Sequence, residues 1–263
     1  AYREGFEKDY AEGKTPATIT AYERLADRYG IPSVDLACRV AEQVRGGQMA
    51  IREPAGPGQK LFGRNGVVPG PDGEALYAAA LAAAWPELAK VPAKAHVLPN
   101  PLVPDNQERA RLVAIRPSML SGAWRELPAD DPLRRQEARQ FDTIWFTNTP
   151  GAKLSFKFRG TAASLFDLIG PDTGRARVTV DGKEVGQRQR VDPWCTYQRL
   201  AALDIASGLE DSIHTAVVEL MPDVPDRSAP IAEAKRAGKY NAADFEGVAL
   251  RVGWIRLIGE IVN

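Results

Sequence analysis

Cysteine and histidine are nearly missing from this chain, with two of each among 263 residues. Cys38 and Cys195 fall in what read as different domains. No disulfide framework is expected, and the redox compartment stays open. His96 and His214 are too few, and too far apart in sequence, for a histidine-based metal site. No metal or cofactor is expected. An excess of either charge is also missing, since Lys plus Arg and Asp plus Glu number 34 each. Without a basic face there is no footprint for nucleic acid. No apolar run approaches the ~20 residues that span a bilayer. The most apolar stretch, Ala78 to Trp85, is alanine-rich and short, so no membrane partner is expected. The sequence opens at Ala1-Tyr2-Arg3 without an initiator Met or a signal peptide. It reads either as a chain whose leader was removed or as part of something larger.

A hydrophobic content of 44% with 26% charged residues fits a folded globular chain, one large domain or two ordinary ones. Residues 15–30 read as a helix, with Thr15 as cap, Pro16 at the first position and Gly30 as the stop. Ile19, Tyr22, Leu25, Ala26 and Tyr29 give it one apolar face. Ile31 to Leu36 reads as a short buried strand and Leu36 to Arg45 as a second helix. Residues 46–72 read as a Gly/Pro-rich loop. Asp72 then caps a third helix that Pro86 stops near Trp85. One strand cannot cover helices with one-sided apolar faces. Residues 1–90 thus read as half of a doubly wound α/β domain.

Prolines at 92, 99, 101 and 104 mark residues 91–106 as a linker. Beyond it the hydrophobic period changes from 3.6 to 2. Lys153 to Arg159 alternates strictly, with Leu154, Phe156 and Phe158 on one face. Ser164 to Ile169 reads as another strand, and Ala176 to Val180 runs into the hairpin dipeptide Asp181-Gly182. Thr215 to Leu220 and Val252 to Ile258 complete at least five short strands. Residues 229–240 read as a short helix or an ordered loop. The expected architecture of residues 107–263 is an antiparallel β-sandwich.

The most informative stretch is Phe62-Gly63-Arg64-Asn65-Gly66-Val67-Val68-Pro69, followed by Gly73-Glu74-Ala75-Leu76-Tyr77. It resembles the last catalytic block of SGNH (GDSL-type) hydrolases, which runs roughly Asp-x-x-His-Pro and then Gly-His-x-Leu-Tyr. Here Asn65 stands at the Asp position, Val68 at the His position and Glu74 at the second His position. Thr15 to Leu36 resembles the late α/β segment of the same family. The downstream region is similar to the accessory β-domain attached to some of its members. The matching residues there are Phe156 to Thr161, Gly170-Pro171-Asp172-Thr173-Gly174, Val180-Asp181-Gly182, Cys195-Thr196-Tyr197 and Gly253-Trp254-Ile255. The resemblance runs from about Tyr10 nearly to the last residue and implies an α/β plus β fold: a partial SGNH (flavodoxin-like) segment followed by the sandwich.

It also implies a serine esterase or hydrolase ancestry, an acylated or polymeric carbohydrate ligand, and a periplasmic or extracellular location. The family's Gly-Asp-Ser nucleophile block does not occur upstream of Thr15. Val68 cannot accept a proton, and Asn65 has no charge to steady an imidazolium. The chain by itself is therefore expected to be inactive and to bind carbohydrate. The alternative is an active carbohydrate (acetyl) esterase whose nucleophile half lies in a missing segment or a partner chain.

Aromatic side chains are the natural platform for a sugar ring. Among Trp124, Trp145, Trp194, Tyr197 and Trp254, the set Trp194, Asp192, Tyr197 and Arg199 has polar neighbours and is the candidate binding site. Trp254 is expected to be core. His214 reads as a structural histidine, Cys195 as a small apolar residue and Glu74 as a helix-start carboxylate. Arg134-Arg135 and Arg188-Gln189-Arg190 read as solvated surface.

Overall fold

The computed structural model describes residues 1–91, 97–103 and 106–262. The chain separates into two compact units, Ala1–Asp105 and Asn106–Asn263.

The first unit contains helices α1 (Phe6–Ala11), α2 (Ala17–Tyr29) and α3 (Ala37–Arg45), strands β1 (Met49–Ala50) and β2 (Lys60–Leu61), and helix α4 (Pro71–Leu88). Pro16, not Thr15, precedes the first turn of α2, because its extended backbone leaves its carbonyl to accept from Ile19 N and Thr20 N. Gly30 ends the helix at φ +63°, which lets Ile31 N reach back to Ala26 O at 2.8 Å. Of the apolar face expected for α2, Ile19 is buried while Tyr22 stays 70% exposed. The strand expected at Ile31–Leu36 does not form, since no strand among the described residues pairs with it. Asp35 anchors that segment instead, with Oδ1 accepting from Ala37 N (2.9 Å) and Oδ2 from Tyr10 Oη (2.5 Å).

The expected loop 46–72 contains the parallel pair β1–β2. Helix α4 runs past Pro86, where a stop was expected. Pro86 lies in the last turn, where it removes only one ladder bond, and Ala89 N still bonds Trp85 O at 2.8 Å. Asp72 sits inside the first turn, and its carboxylate accepts from Leu61 N at 3.0 Å. The core of this unit is small: Tyr2, Ile19, Ala37, Val40, Ala41, Met49 and Phe62. In the expected linker, residues 97–103 form neither helix nor strand. Pro92, His96 and Pro104 lie outside the described residues.

The second unit is a ten-stranded sheet in which every strand pairing is antiparallel. Its elements are β3 (Ala110–Ala114), β4 (Leu120–Ser121), β5 (Arg125–Glu126), α5 (Pro132–Gln136), β6 (Trp145–Thr147), β7 (Lys153–Ile169), β8 (Arg175–Val180), β9 (Lys183–Gln189), β10 (Arg199–Ala206), β11 (Ser212–Leu220), α6 (Ser228–Arg236) and β12 (Leu250–Val262). The two strands expected at 153–159 and 164–169 are one long strand, β7. Its first half pairs with β11 and its second half with β10, while β12 pairs along both.

The sheet passes from one half to the other at Gly160 and Gly259. Each has a strongly positive φ, and a Cβ on either would lie about 2 Å from a backbone oxygen of the opposite strand. Leu154, Phe156, Phe158, Val178 and Val218 from one half meet Leu165, Leu203, Ile205, Ile255 and Leu257 from the other in a single core. Burying each such side chain contributes about 1.5–3 kcal/mol. Asp181 (φ +51°) and Gly182 (φ +76°) form the two-residue turn between β8 and β9.

Candidate functional site

Three places in the chain combine chemistry-bearing side chains with an ordered frame. The first is the 62–77 block. Phe62 is fully buried, its N donates to Ala50 O (2.8 Å), and its O accepts from Gly70 N (2.6 Å). Gly63 and Gly73 are needed where the chain doubles back: a Cβ would sit 2.0 Å from Val68 O at the first and 2.6 Å from Phe62 O at the second. Asn65 Oδ1 accepts from both Val67 N and Val68 N at 3.0 Å, so its carbonyl is occupied in shaping the turn. The Val68 side chain is 63% exposed, and an isopropyl group has no proton chemistry. Glu74 is exposed in the first turn of α4, and Tyr77 Oη accepts from Tyr2 N at 2.7 Å.

The second is the loop between β9 and β10. Asp192 Oδ1 accepts from Trp194 N at 2.8 Å, and Asp192 Oδ2 accepts from Arg199 Nη2. Beneath the loop Cys195 is fully buried, its Sγ accepting from Asp192 N at 3.3 Å, and burial raises its thiol pKa. The Asp192 carboxyl is held low despite partial burial, by Arg199 first and then by Trp194 N. Trp194 and Tyr197 project from this frame 62% and 60% exposed. Asp192, Trp194 and Tyr197 lie in the loop itself, and Arg199 is the first residue of β10.

Two ion pairs absent from the sequence reading brace that loop. Arg190, expected to be solvated, is half-buried and forms a bidentate pair with the buried Asp167 at 2.7 and 3.0 Å. Burial pushes the Asp167 carboxyl up to about 6 against the pull of Arg190. Arg251 pairs with both oxygens of Asp172 (2.6 and 2.9 Å), and Gln198 Nε2 donates to Asp172 Oδ1 at 2.9 Å. Trp254, expected to be core, is half-buried, and its indole Nε1 donates to Gln140 O at 2.9 Å.

The third is a Ser212–His214–Asp181 constellation. His214 Nδ1 lies 2.7 Å from Asp181 Oδ2, and Nε2 lies 3.2 Å from Ser212 Oγ, the order of a hydrolytic triad. Nε2 is also 2.9 Å from Glu210 O. A nitrogen lone pair cannot face a carbonyl oxygen at that distance, so Nε2 carries a proton that it donates to Glu210 O. It has no lone pair left to take one from Ser212. The same contacts raise the His214 pKa, Asp181 first and Glu210 O second. The cluster ties the β8–β9 turn to the start of β11, and His214 is structural. Among the described residues no three His, Cys, Asp or Glu side chains come together as metal ligands.

No family model matches the chain, and no curated protein matches it. Solved structures do. A two-domain esterase (CEX) active on acetylated mannans superposes with a TM-score of 0.62 at 17% identity, over 98% of this chain and 62% of that one. A structure of such an esterase co-crystallised with mannopentaose gives 0.61 at 16% identity, over 92% of this chain and 59% of that one. This chain therefore spans about three fifths of the length of those esterases and, at this level of identity, shares their fold.

Proposed function

We propose that this protein is an esterase-like carbohydrate-binding protein whose own acid/base block no longer works. Residues 1–90 are read as the late α/β segment of an SGNH-type hydrolase and 107–263 as its accessory sandwich. The observation that carries the binding role is the β9–β10 loop, which holds Trp194 and Tyr197 exposed on a frame fixed by Asp192 and Arg199. Two flat rings held in place present apolar faces to a pyranose while the neighbouring carboxylate and guanidinium remain within reach of its hydroxyls. Likeness to esterases active on acetylated mannans makes a mannan the first ligand to try, and a polymeric glycan implies a periplasmic or extracellular setting. Titrating the full chain with acetylated and deacetylated mannooligosaccharides tests this. Trp194→Ala/Tyr197→Ala should weaken binding at least tenfold, about 1.4 kcal/mol. Undiminished affinity in that variant rejects the loop as the site.

Loss of catalysis rests on Val68 and Asn65. With neither base nor orienter, only the residual rate supplied by binding remains. Hydrolysis of a small acetyl ester by this chain alone, abolished by a serine-reactive inhibitor, overturns that reading.

A second reading is favoured by the first unit. Among the described residues its only parallel strand pairing, β1–β2, is two residues long, and Tyr22, Leu25, Leu81 and Trp85 on α2 and α4 are exposed. In this reading a further segment or a partner chain covers those faces and supplies the nucleophile and a base. Native mass measured against denatured mass separates the two. A second polypeptide supports completion in trans, and its reconstituted complex must then hydrolyse an acetyl ester.

A further inference from the structure

The face of the second unit turned away from its core carries a transverse row of polar side chains in direct cross-strand register. Asp204 of β10 stands opposite Ser164 of β7, Ser164 opposite Arg256 of β12, and Arg256 opposite Leu112 of β3. The adjacent row holds Ala202, Phe166 and Trp254 in the same register. On the other side Ala162 stands opposite Ile258, and Ala206 at the end of β10, past a break in register, stands opposite Ala163. Small side chains there leave a cleft of about 570 Å³, walled by Val185 and Arg188 of β9. That is within the range of sites for small polar ligands.

Each arginine of the cleft is anchored through Nε alone. Arg256 Nε donates to Ser164 Oγ at 2.9 Å, and its guanidinium lies over the Phe166 ring, 5.4 Å from the centroid. Arg188 Nε donates to Asp204 O at 3.1 Å. Among the described residues, no protein group accepts from the Nη atoms of either arginine or donates to the exposed Asp204 carboxylate. Pre-oriented donors and a free acceptor therefore share one cleft, with half-buried aromatic rings beside them. A sugar hydroxyl both donates and accepts, and a pair of neighbouring hydroxyls satisfies a carboxylate and a guanidinium together. A purely anionic ligand is opposed by Asp204, and a cation by the two arginines.

We propose that this cleft is a second carbohydrate subsite, taking a neutral pyranose unit of the glycan whose other units meet the Trp194/Tyr197 loop. The proposal rests on the reading that the protein binds carbohydrate. Arg199, at the foot of the loop, and Asp204, in the cleft, lie on the same strand five residues apart, about 17 Å at strand rise. Their odd separation turns the two side chains to opposite faces of β10, which among the described residues pairs with β7 alone. An oligosaccharide that reaches both passes around the other edge of β10, and the two contacts then act as a linked pair.

The test is calorimetric titration of the full chain with neutral mannooligosaccharides of two to six units, alongside an oligouronate. Four proteins are compared: the parent, the cleft variants Asp204→Ala/Arg256→Gln and Ala206→Phe, and the loop variant Trp194→Ala/Tyr197→Ala. Affinity should rise with length in the parent. The first cleft variant should keep its affinity for the shortest oligosaccharides and lose about tenfold for the longest. Ala206→Phe, which fills the cleft without removing a hydrogen bond, should reproduce that loss. Parent-like affinity at every length in both cleft variants, with binding lost in the loop variant, overturns the cleft and leaves the proposed function standing. Binding of the oligouronate alone overturns the neutral-sugar assignment. Failure of every glycan to bind the parent overturns both readings.

Discussion

His214 shows how one proton can decide a side chain's role. Its folded-state pKa lies above the ordinary value of about 6.5, because Asp181 and Glu210 O both accept from the charged ring. A raised histidine contributes stability that is complete below the unfolded pKa and is lost as pH rises through the folded one. Asp181 is shifted the other way, held low by His214 first and Thr215 N second. Its contribution is present above the unfolded pKa of about 3.9 and fades as pH falls through the folded one. The pair thus supports the fold from mildly acidic to neutral pH. Urea midpoints should fall between about pH 6 and pH 8, and His214→Gln should flatten that fall. An equally steep fall in the variant rejects the pairing.

Arg227 is buried and donates to three carbonyls, Phe245 O, Thr173 O (3.2 Å) and Gly247 O (2.8 Å). Arg227→Met leaves those acceptors without partners and should cost roughly 3 kcal/mol, read from the same urea unfolding. The braces Asp167–Arg190 and Asp172–Arg251 were illegible in the sequence because their members lie 23 and 79 residues apart. Arg190 looked like one more surface cation. Asp192, Trp194, Tyr197 and Arg199 could be grouped beforehand only because they sit within eight consecutive residues.

Among elements, strict alternation was the most legible signal. Leu154, Phe156 and Phe158 face the core as their period implies, and Asp181-Gly182 forms the turn that its residues favour. The continuity of β7 through Gly160 could not be read, because a glycine inside a strand pattern looks like an end. Its meaning lies in Gly259, 99 residues later, whose backbone presses against it. Gly160→Ala forces a Cβ to 2.1 Å from Ile258 O at a φ that L-residues avoid. It should cost about 1–3 kcal/mol or more, measured as a lowered urea midpoint with unchanged slope. Wild-type stability in that variant means the crossing is looser than described. The strand expected at 31–36 failed for the opposite reason: an apolar run makes a strand only when another strand lies beside it.

The two units differ sharply in how much they bury. Among the described residues, the first has seven core residues and leaves Trp85 67% exposed, whereas the second gathers twenty around β7 and β12. Stability follows burial. Heating should melt the first unit before the second, and a fragment of residues 106–263 should keep the upper calorimetric transition. Loss of that transition in the fragment means the second unit depends on the first.

The strand β12 has one more consequence, for the order of assembly. It follows every other strand of the second unit in sequence, yet it pairs with β3, β6 and β7 and lies along most of the length of β7. The bond between Arg256 and Ser164 closes a loop of 92 residues. During synthesis β7 emerges long before its main neighbour and must wait with Leu165, Leu168 and the edge beside them unpaired. The sheet cannot be built from front to back. It stays incomplete until β12 arrives, and a ribosome stalled between Leu220 and Leu250 carries a half-sheet with an open edge, the species most prone to pair with another chain.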